Sequence, residues 1–420
     1  MNTQTMLASP IGLSSADFQS VGTTLSYDHY PARARFILKM LAGLQHGALQ
    51  LELPDGQFAR FGDNSSPVTL RLYDLSMFDA VLKSGDIGFA ETYINGSWST
   101  DDLTGLIALF IRNRQAIESL FHGKWWGRLL YRMRHLFNRN SRSGSRKNIH
   151  AHYDIGNDFY SLWLDPSMTY SSALFSKGHD SNLQQGQEAK YRRILRQLSV
   201  KPGEQILEIG CGWGGFAEIA ARVGGARVRG LTLSNEQLQY AQQRLANAGL
   251  ADRAELLLMD YRDSNGQYDA IASIEMFEAV GEEYWPAYFE CVARNLKQGG
   301  RACIQTIVIG DELFENYRKG TDFIQQYIFP GGMLPSPTAF RSEAEKHGLC
   351  IVNEFAFGHD YARTLAEWRD AFKRQLPQVR KQGFDESFLR TWEFYFGYCE
   401  AGFRANSISV MQFTLKKIWS

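Results

Sequence analysis

From about Val200 the chain alternates short apolar runs with helical patterns, and no other feature narrows its fold as much. QILEIG (205–210) is an apolar run stopped by glycine, and GGFAEIAARVG (214–224) has helical periodicity. ARVRGLTLS (226–234) reads as a strand. NEQLQYAQQRLANAGL (235–250) reads as a helix with Ser234 or Asn235 as its cap and Gly249 as its stop. AELLLMD, YDAIASIE and the end of CVARNLKQGGRACIQTIVI (291–309) continue the strands. Strands separated by helices predict a parallel sheet covered on both faces. After Gly310 the period turns helical and aromatic-rich to the end.

The rest of the chain divides around a basic window. Lys124, Arg128, Arg132, Arg134, Arg139, Arg142, Arg146 and Lys147 fall in a stretch without Asp or Glu. Its first half, KWWGRLLYRMRHLF, reads as an amphipathic basic helix, and NRNSRSGSRKN reads as a linker. The expected units are a small N-terminal α+β domain (1–120), the basic segment (121–149) and a catalytic domain (150–420). In the first, LQHGALQLELPDGQFARFGD alternates apolar and polar residues around Pro-Asp-Gly, a hairpin signal.

Across all 420 residues Lys+Arg 45 balances Asp+Glu 45, which disfavours a globally basic nucleic-acid binder. No run of about 18 apolar residues occurs, so no bilayer-spanning helix is expected. The N-terminus has no visible signal peptide. Five scattered cysteines form no C-x-x-C, which fits reduced thiols in a cytoplasmic protein.

EIGCGWGG (Glu208 to Gly215) closes a strand and opens a helix. Gly210, Gly212 and Gly215 satisfy G-x-G-x-x-G, but a dinucleotide site also wants an acid ending the next strand. That strand ends at Thr232, and the nearest acid, Glu236, is already inside a helix. Glu208, Gly210, Gly212 and Gly214 instead match E/D-x-G-x-G-x-G, the glycine loop of S-adenosylmethionine methyltransferases. Glycines admit the backbone to the adenosine, and a carboxylate suits a cationic ligand. Asp260-Tyr261-Arg262 fits an adenine pocket or a surface turn equally well.

HYDIGNDFYSLWLDPSMTYSSALF (152–175), LEIGCGWGGFA, GLTLSNEQ, DYRD, MFEAVG, YIFPGGMLPS and YCEAGFR occur in that order. With these segments the chain resembles the cyclopropane-fatty-acyl-phospholipid synthase (mycolic acid cyclopropane synthase) family. The resemblance implies an α/β class I methyltransferase fold, Rossmann-like with a mostly parallel sheet and helical insertions. It implies cofactor contacts at Tyr170, Ser171, Glu208, Gly210, Cys211, Gly212, Gly214, Thr232, Leu233, Gln237, Asp260, Tyr261 and Arg262. Thr232 and Gln237 would stand in for the missing ribose-binding acid.

The implied reaction transfers a methylene group from S-adenosylmethionine to a cis double bond of an unsaturated phospholipid acyl chain. The alternative is C-methylation to branched or furan-pathway fatty acids without ring closure. Attack on the methyl leaves a carbocation, and proton loss from the new methyl closes the ring, so the site needs a dry apolar tunnel and a base. In the family a bound bicarbonate is that base, held by a Glu, a His, a Tyr and backbone groups. Glu278, Tyr361 and Ile307 match. The His of H-T-I is Gln305 here, the His after Glu278 is Ala279, and a Cys before Ala is Ser172. Gln305 hydrogen-bonds an anion but carries no proton at pH 7. Glu275, three residues before Glu278, is read as a decoy or supporting group. Cys399 sits in an aromatic helical stripe; the family places an active-site Cys there, although a cation reaction needs no thiol.

No convergent metal ligands are recognisable. The basic segment fits an anionic phospholipid surface better than RNA or DNA. The expected location is therefore cytoplasmic, peripheral on the inner face of the membrane, and a homodimer is allowed for.

Overall fold

The computed structural model describes residues 29–119, 155–175 and 181–418. The basic segment 121–149 lies outside these described residues. No described helix is long and apolar enough to cross a membrane.

Residues 29–119 form a four-stranded sheet of order β2-β1-β3-β4, with β1 (Ala48–Glu52), β2 (Phe58–Gly62), β3 (Pro67–Leu72) and β4 (Trp98–Ser99). The expected hairpin is present: β1 and β2 pair antiparallel from Ala48↔Gly62 to Glu52↔Phe58, and Gly56 in the turn has φ 81°. Five helices accompany the sheet: α1 (Ala32–Leu41), α2 (Ser76–Ser84), α3 (Asp86–Ile94), α4 (Leu103–Arg112) and α5 (Arg114–Ser119).

The second unit begins with α6 (Asn157–Tyr160) and α7 (Leu183–Leu198). Strands and helices then alternate: β5 (Gln205–Ile209), α8 (Gly215–Val223), β6 (Arg227–Thr232), α9 (Asn235–Asn247), β7 (Ala254–Leu258), β8 (Tyr268–Ile274), α10 (Trp285–Asn295) and β9 (Leu296–Ile309). Ser234 caps α9 by accepting the Gln237 N–H. The last part holds α11 (Asp311–Tyr317), α12 (Pro337–Lys346), β10 (Leu349–Ala356), α13 (Gly358–Arg374), α14 (Leu376–Lys381), α15 (Glu386–Arg404) and β11 (Ile408–Lys417).

The sheet order is β10-β11-β9-β8-β5-β6-β7. Strands β5 to β9 pair parallel, whereas β11 pairs antiparallel with both β9 and β10. This is the α/β class I methyltransferase fold with its mostly parallel sheet. The chain leaves β5 toward β6 on one side and returns to β8 on the other, so the β5/β8 boundary is a topological switch point.

The expectation that everything after Gly310 is helical is corrected by β10 and β11. The centre of β11, from Val410 to Leu415, is buried without interruption. A strand covered on both faces loses its alternation and cannot be told from a buried helix by period.

The two units share one aromatic and aliphatic core. Polar contacts reinforce it: the Tyr398 hydroxyl donates to Asp86 at 2.9 Å, and Arg390 donates to the carbonyls of Tyr93 and Trp98. Glu400, with a fully buried side chain, pairs with Arg369 and accepts from Thr104 of α4 at 3.1 Å. Glu400→Ala strips this pair of its acid while Arg369 stays partly exposed. We expect a loss of about 3 kcal/mol, the low end for a broken buried pair, read as a thermal midpoint lower by several degrees.

Candidate active site

The switch point holds a small cavity lined by the glycine loop. Three glycines there have positive φ for different reasons: Gly210 (84°), Gly212 (51°) and Gly214 (80°). A Cβ on Gly210 would lie 2.8 Å from the Met276 side chain, and one on Gly214 would lie 2.9 Å from the Ala241 Cβ. A Cβ on Gly212 meets nothing within 4 Å. Gly212 faces the cavity, so a side chain there would fill ligand space.

Tyr170, Ser171, Glu208, Gly210, Cys211 and Gly212 line this cavity on one side. Thr232, Leu233, Gln237, Asp260, Tyr261 and Arg262 line it as well. Gly214 is the exception: it does not line the cavity but starts α8 against α9, where only a residue without Cβ fits. Thr232 donates to Gln237 at 2.9 Å, and Asp260 clamps Arg262 through its backbone and guanidinium N–H groups. Burial pushes the Glu208 carboxyl well above its usual range, and its Oε2 has no partner. A cationic amino acid moiety satisfies such a carboxylate. The open cradle at Gly212 and this orphaned oxygen together fit S-adenosylmethionine.

A second, apolar cavity of about 1120 Å³ opens beside the first. This exceeds the roughly 300–1,000 Å³ of small-molecule sites. Its wall draws on both units: Ile37, Met40, Leu70 and Met77 from the N-terminal unit, and Ile307, Leu365, Cys399 and Phe403 from the catalytic one. Tyr170, Glu275 and Ala279 line both cavities. Two ligands would therefore meet at these three residues.

Glu275 is the centre of a hydrogen-bond cluster. Its Oε1 accepts the Ser172 backbone N–H at 2.8 Å and the Gln305 side-chain amide at 2.7 Å. Its Oε2 accepts the Tyr361 hydroxyl at 2.7 Å. Buried Lys190 stands nearby, donating to Ser171 Oγ and Gln187 Oε1 at 2.6 Å each, and burial pulls its ammonium down to about 7. Glu278, which lines the apolar cavity, accepts the Ile307 N–H with Oε1, while Oε2 has no partner.

The two carboxyls do not share charge equally. Burial raises Glu275, but Lys190 and the three donated hydrogen bonds pull it back. Burial and the Glu275 charge push Glu278 up to about 8. Lys190 and the three donors thus favour the ionised form of Glu275, whereas the neighbouring charge favours the protonated form of Glu278. Burial and the adjacent carboxylate hold the Tyr361 hydroxyl well above the phenol range, so it remains a donor.

The folded state keeps the Glu278 proton that an unfolded chain releases above about 4.5. Its contribution to stability is full below about pH 4.5 and is lost as pH rises toward about 8. Glu278→Gln, an amide of nearly the same shape, should flatten thermal midpoint against pH across that window. Other buried carboxyls act in the same direction in both proteins, so the difference between the curves isolates Glu278.

Glu278, Tyr361, Ile307 and Cys399, expected as catalytic-site residues, line the apolar cavity. Two positions are corrected. Ser172 contributes its backbone N–H, while its hydroxyl turns to the Ala173 carbonyl. Gln305 touches neither cavity and acts through Glu275. Glu275 and Lys190 were not among the expected site residues. The bicarbonate fit also fails: the Ser172, Gln305 and Tyr361 donors are already taken up by the Glu275 carboxylate. A free anion there would also face that negative charge.

The mycolic acid cyclopropane synthetase family profile matches residues 140–413. The chain belongs to this family. Like other mycolic acid cyclopropane synthetase-type proteins it is an S-adenosylmethionine-dependent methyltransferase, in a family that acts on lipid acyl chains. It is 37% identical over 378 residues to the tuberculostearic acid methyltransferase UfaA1 of Mycobacterium tuberculosis, covering 88% of each chain. It is 35% identical over 355 residues to the cyclopropane-fatty-acyl-phospholipid synthase of Escherichia coli, covering 83% of this chain and 88% of that one. The crystal structure of mycolic acid cyclopropane synthase CmaA1 complexed with SAH and CTAB superposes with a TM-score of 0.61 at 33% identity. It covers 65% of this chain and 98% of its own.

Proposed function

We propose that this protein transfers the methyl carbon of S-adenosylmethionine to a cis double bond of an unsaturated phospholipid acyl chain and closes a cyclopropane ring. The meeting of the cofactor cavity and the apolar cavity at Tyr170, Glu275 and Ala279 carries this reading. When bound, S-adenosylmethionine supplies a methyl carbon electrophilic enough to be attacked by an isolated double bond. The apolar wall orients the acyl chain and excludes the water that would quench a carbocation. Lys83, Arg114 and Lys319 bring cationic groups to the same lining, which suits a phosphate headgroup.

A second reading, methyl branching without ring closure, draws on the 37% identity with a tuberculostearic acid methyltransferase. Incubation with an unsaturated phospholipid and S-adenosylmethionine, followed by mass spectrometry and proton NMR, separates the two. An acyl chain heavier by one methylene with upfield ring-proton signals supports ring closure. The same mass without them supports the branch. No mass gain overturns both.

The same reading requires the protein to reach a bilayer, and the basic segment 121–149 suits an anionic surface. Each Lys or Arg near such a surface is worth about 1 kcal/mol. Replacing Arg128, Arg132 and Arg134 by Glu should sharply lower cosedimentation with phosphatidylglycerol vesicles at low salt. Activity on detergent-dispersed substrate should remain. Sedimentation equal to that of the unmodified protein would place the membrane contact elsewhere.

A further inference from the structure

Glu275 directly follows β8, and its backbone adopts φ 52°, the left-handed region that costs a non-glycine residue about 1 kcal/mol or more. Its backbone N–H donates to the Gln305 carbonyl at 2.7 Å, so Gln305 grips it through both main chain and side chain. The polarity of that grip is set from outside the site. Arg193 donates to the Gln412 side-chain oxygen, and Gln412 donates to the Gln305 side-chain oxygen at 2.9 Å. A guanidinium has no acceptor, so the relay runs one way and turns the Gln305 NH₂ toward Glu275. An acceptor-only carboxylate is what such a relay is built to hold. Strain, relay and position between two cavities coincide at one residue.

We propose that the Glu275 carboxylate is the general base of the reaction, carried by the chain in place of any diffusible anion. The inference rests on the one-carbon transfer proposed above. The alkene π pair forms the new bond to the methyl carbon, whose bond to sulfur breaks with its electron pair leaving on sulfur. The other alkene carbon becomes cationic. A Glu275 oxygen then takes a proton from the transferred carbon, and the released C–H pair closes the ring on the cationic carbon. The products are the ring, a neutral thioether and a protonated Glu275. Glu278, favoured in its protonated form, adds no second negative charge beside it. Ser172 and Gln305 fix one carboxylate oxygen and Tyr361 fixes the other, at a residue that lines both cavities.

The test measures turnover on unsaturated phospholipid in carbonate-stripped buffer, with and without added sodium bicarbonate. Binding of ¹³C-bicarbonate is followed in parallel by NMR. The unmodified protein should turn over equally with and without bicarbonate and should bind none. Glu275→Gln should lose about 10²- to 10⁴-fold in turnover, the range of a general base, while binding S-adenosylmethionine as before. Glu275→Gly relieves the left-handed backbone and empties the anion position, so bicarbonate should bind it and restore part of its turnover. Bicarbonate-dependent turnover or bicarbonate binding in the unmodified protein would overturn the proposal, as would full activity of Glu275→Gln in stripped buffer. If the unmodified protein makes no product under any condition, the proposed reaction fails instead. The NMR arm still decides whether the chain carries its own anion.

Discussion

Gly212→Val should fold and yet lose S-adenosylmethionine binding by about 100-fold or more, roughly 2.7 kcal/mol. The three loop glycines allow this to be separated from simple destabilisation. A Cβ at Gly210 or Gly214 collides with Met276 or Ala241, so substitution there strains the fold. At Gly212 nothing lies within 4 Å, and the added branched carbons enter the cavity that Glu208 and Thr232 also line. The φ of 51° adds a strain of about 1–2 kcal/mol, which a protein of this size tolerates. Calorimetry of binding beside a thermal melt reads both effects. Tight binding by a folded Gly212→Val protein would remove the cofactor from the glycine loop.

Cys399→Trp should produce the opposite separation, with cofactor binding kept and turnover on acyl chains lost by about two orders of magnitude. Cys399 projects from α15 into the apolar cavity beside Tyr395 and Phe403. An indole there fills the space an acyl chain needs to reach Tyr170 and Glu275. Burial drives the Cys399 thiol far above its usual range, so it stays neutral and is no nucleophile. Cys399→Ser should accordingly keep turnover close to that of the unmodified protein. The pair of variants distinguishes a wall residue from a reacting one. A dead serine variant would show that sulfur takes part in the chemistry.

What the sequence made legible follows from range. The glycine loop, its strand and its helix are contiguous, so their spacing alone points to the cofactor cavity. The family resemblance added Tyr170, Ser171, Thr232, Leu233 and Gln237, and about half of the lining, Met168, Tyr191 and Met259 among it, was not expected. The Ser234 cap and the Pro-Asp-Gly hairpin are equally local. Glu275 is different, because its partners Ser172, Gln305 and Tyr361 lie between 30 and 103 residues away. A lone acid after a strand carries no local mark of such convergence, and its left-handed backbone leaves no trace in composition. Lys190 sits in the polar stretch QEAKYRR, which carries no local mark of a site; only folding buries it against Ser171 and Gln187. The N-terminal unit holds no recognisable catalytic set. Its contribution, more than a third of the residues lining the apolar cavity, is a matter of shape.

In the proposed reaction a carbon crosses from the cofactor cavity to the acyl cavity and gives up a proton at their junction. Trideuteromethyl S-adenosylmethionine tests this directly with an unsaturated phospholipid, the acyl products being read by mass spectrometry. A product carrying a CD₂ group, one deuteron having been lost from the transferred carbon, is the predicted result. An acyl chain that keeps an intact CD₃ group, or one that gains no deuterium, would contradict it.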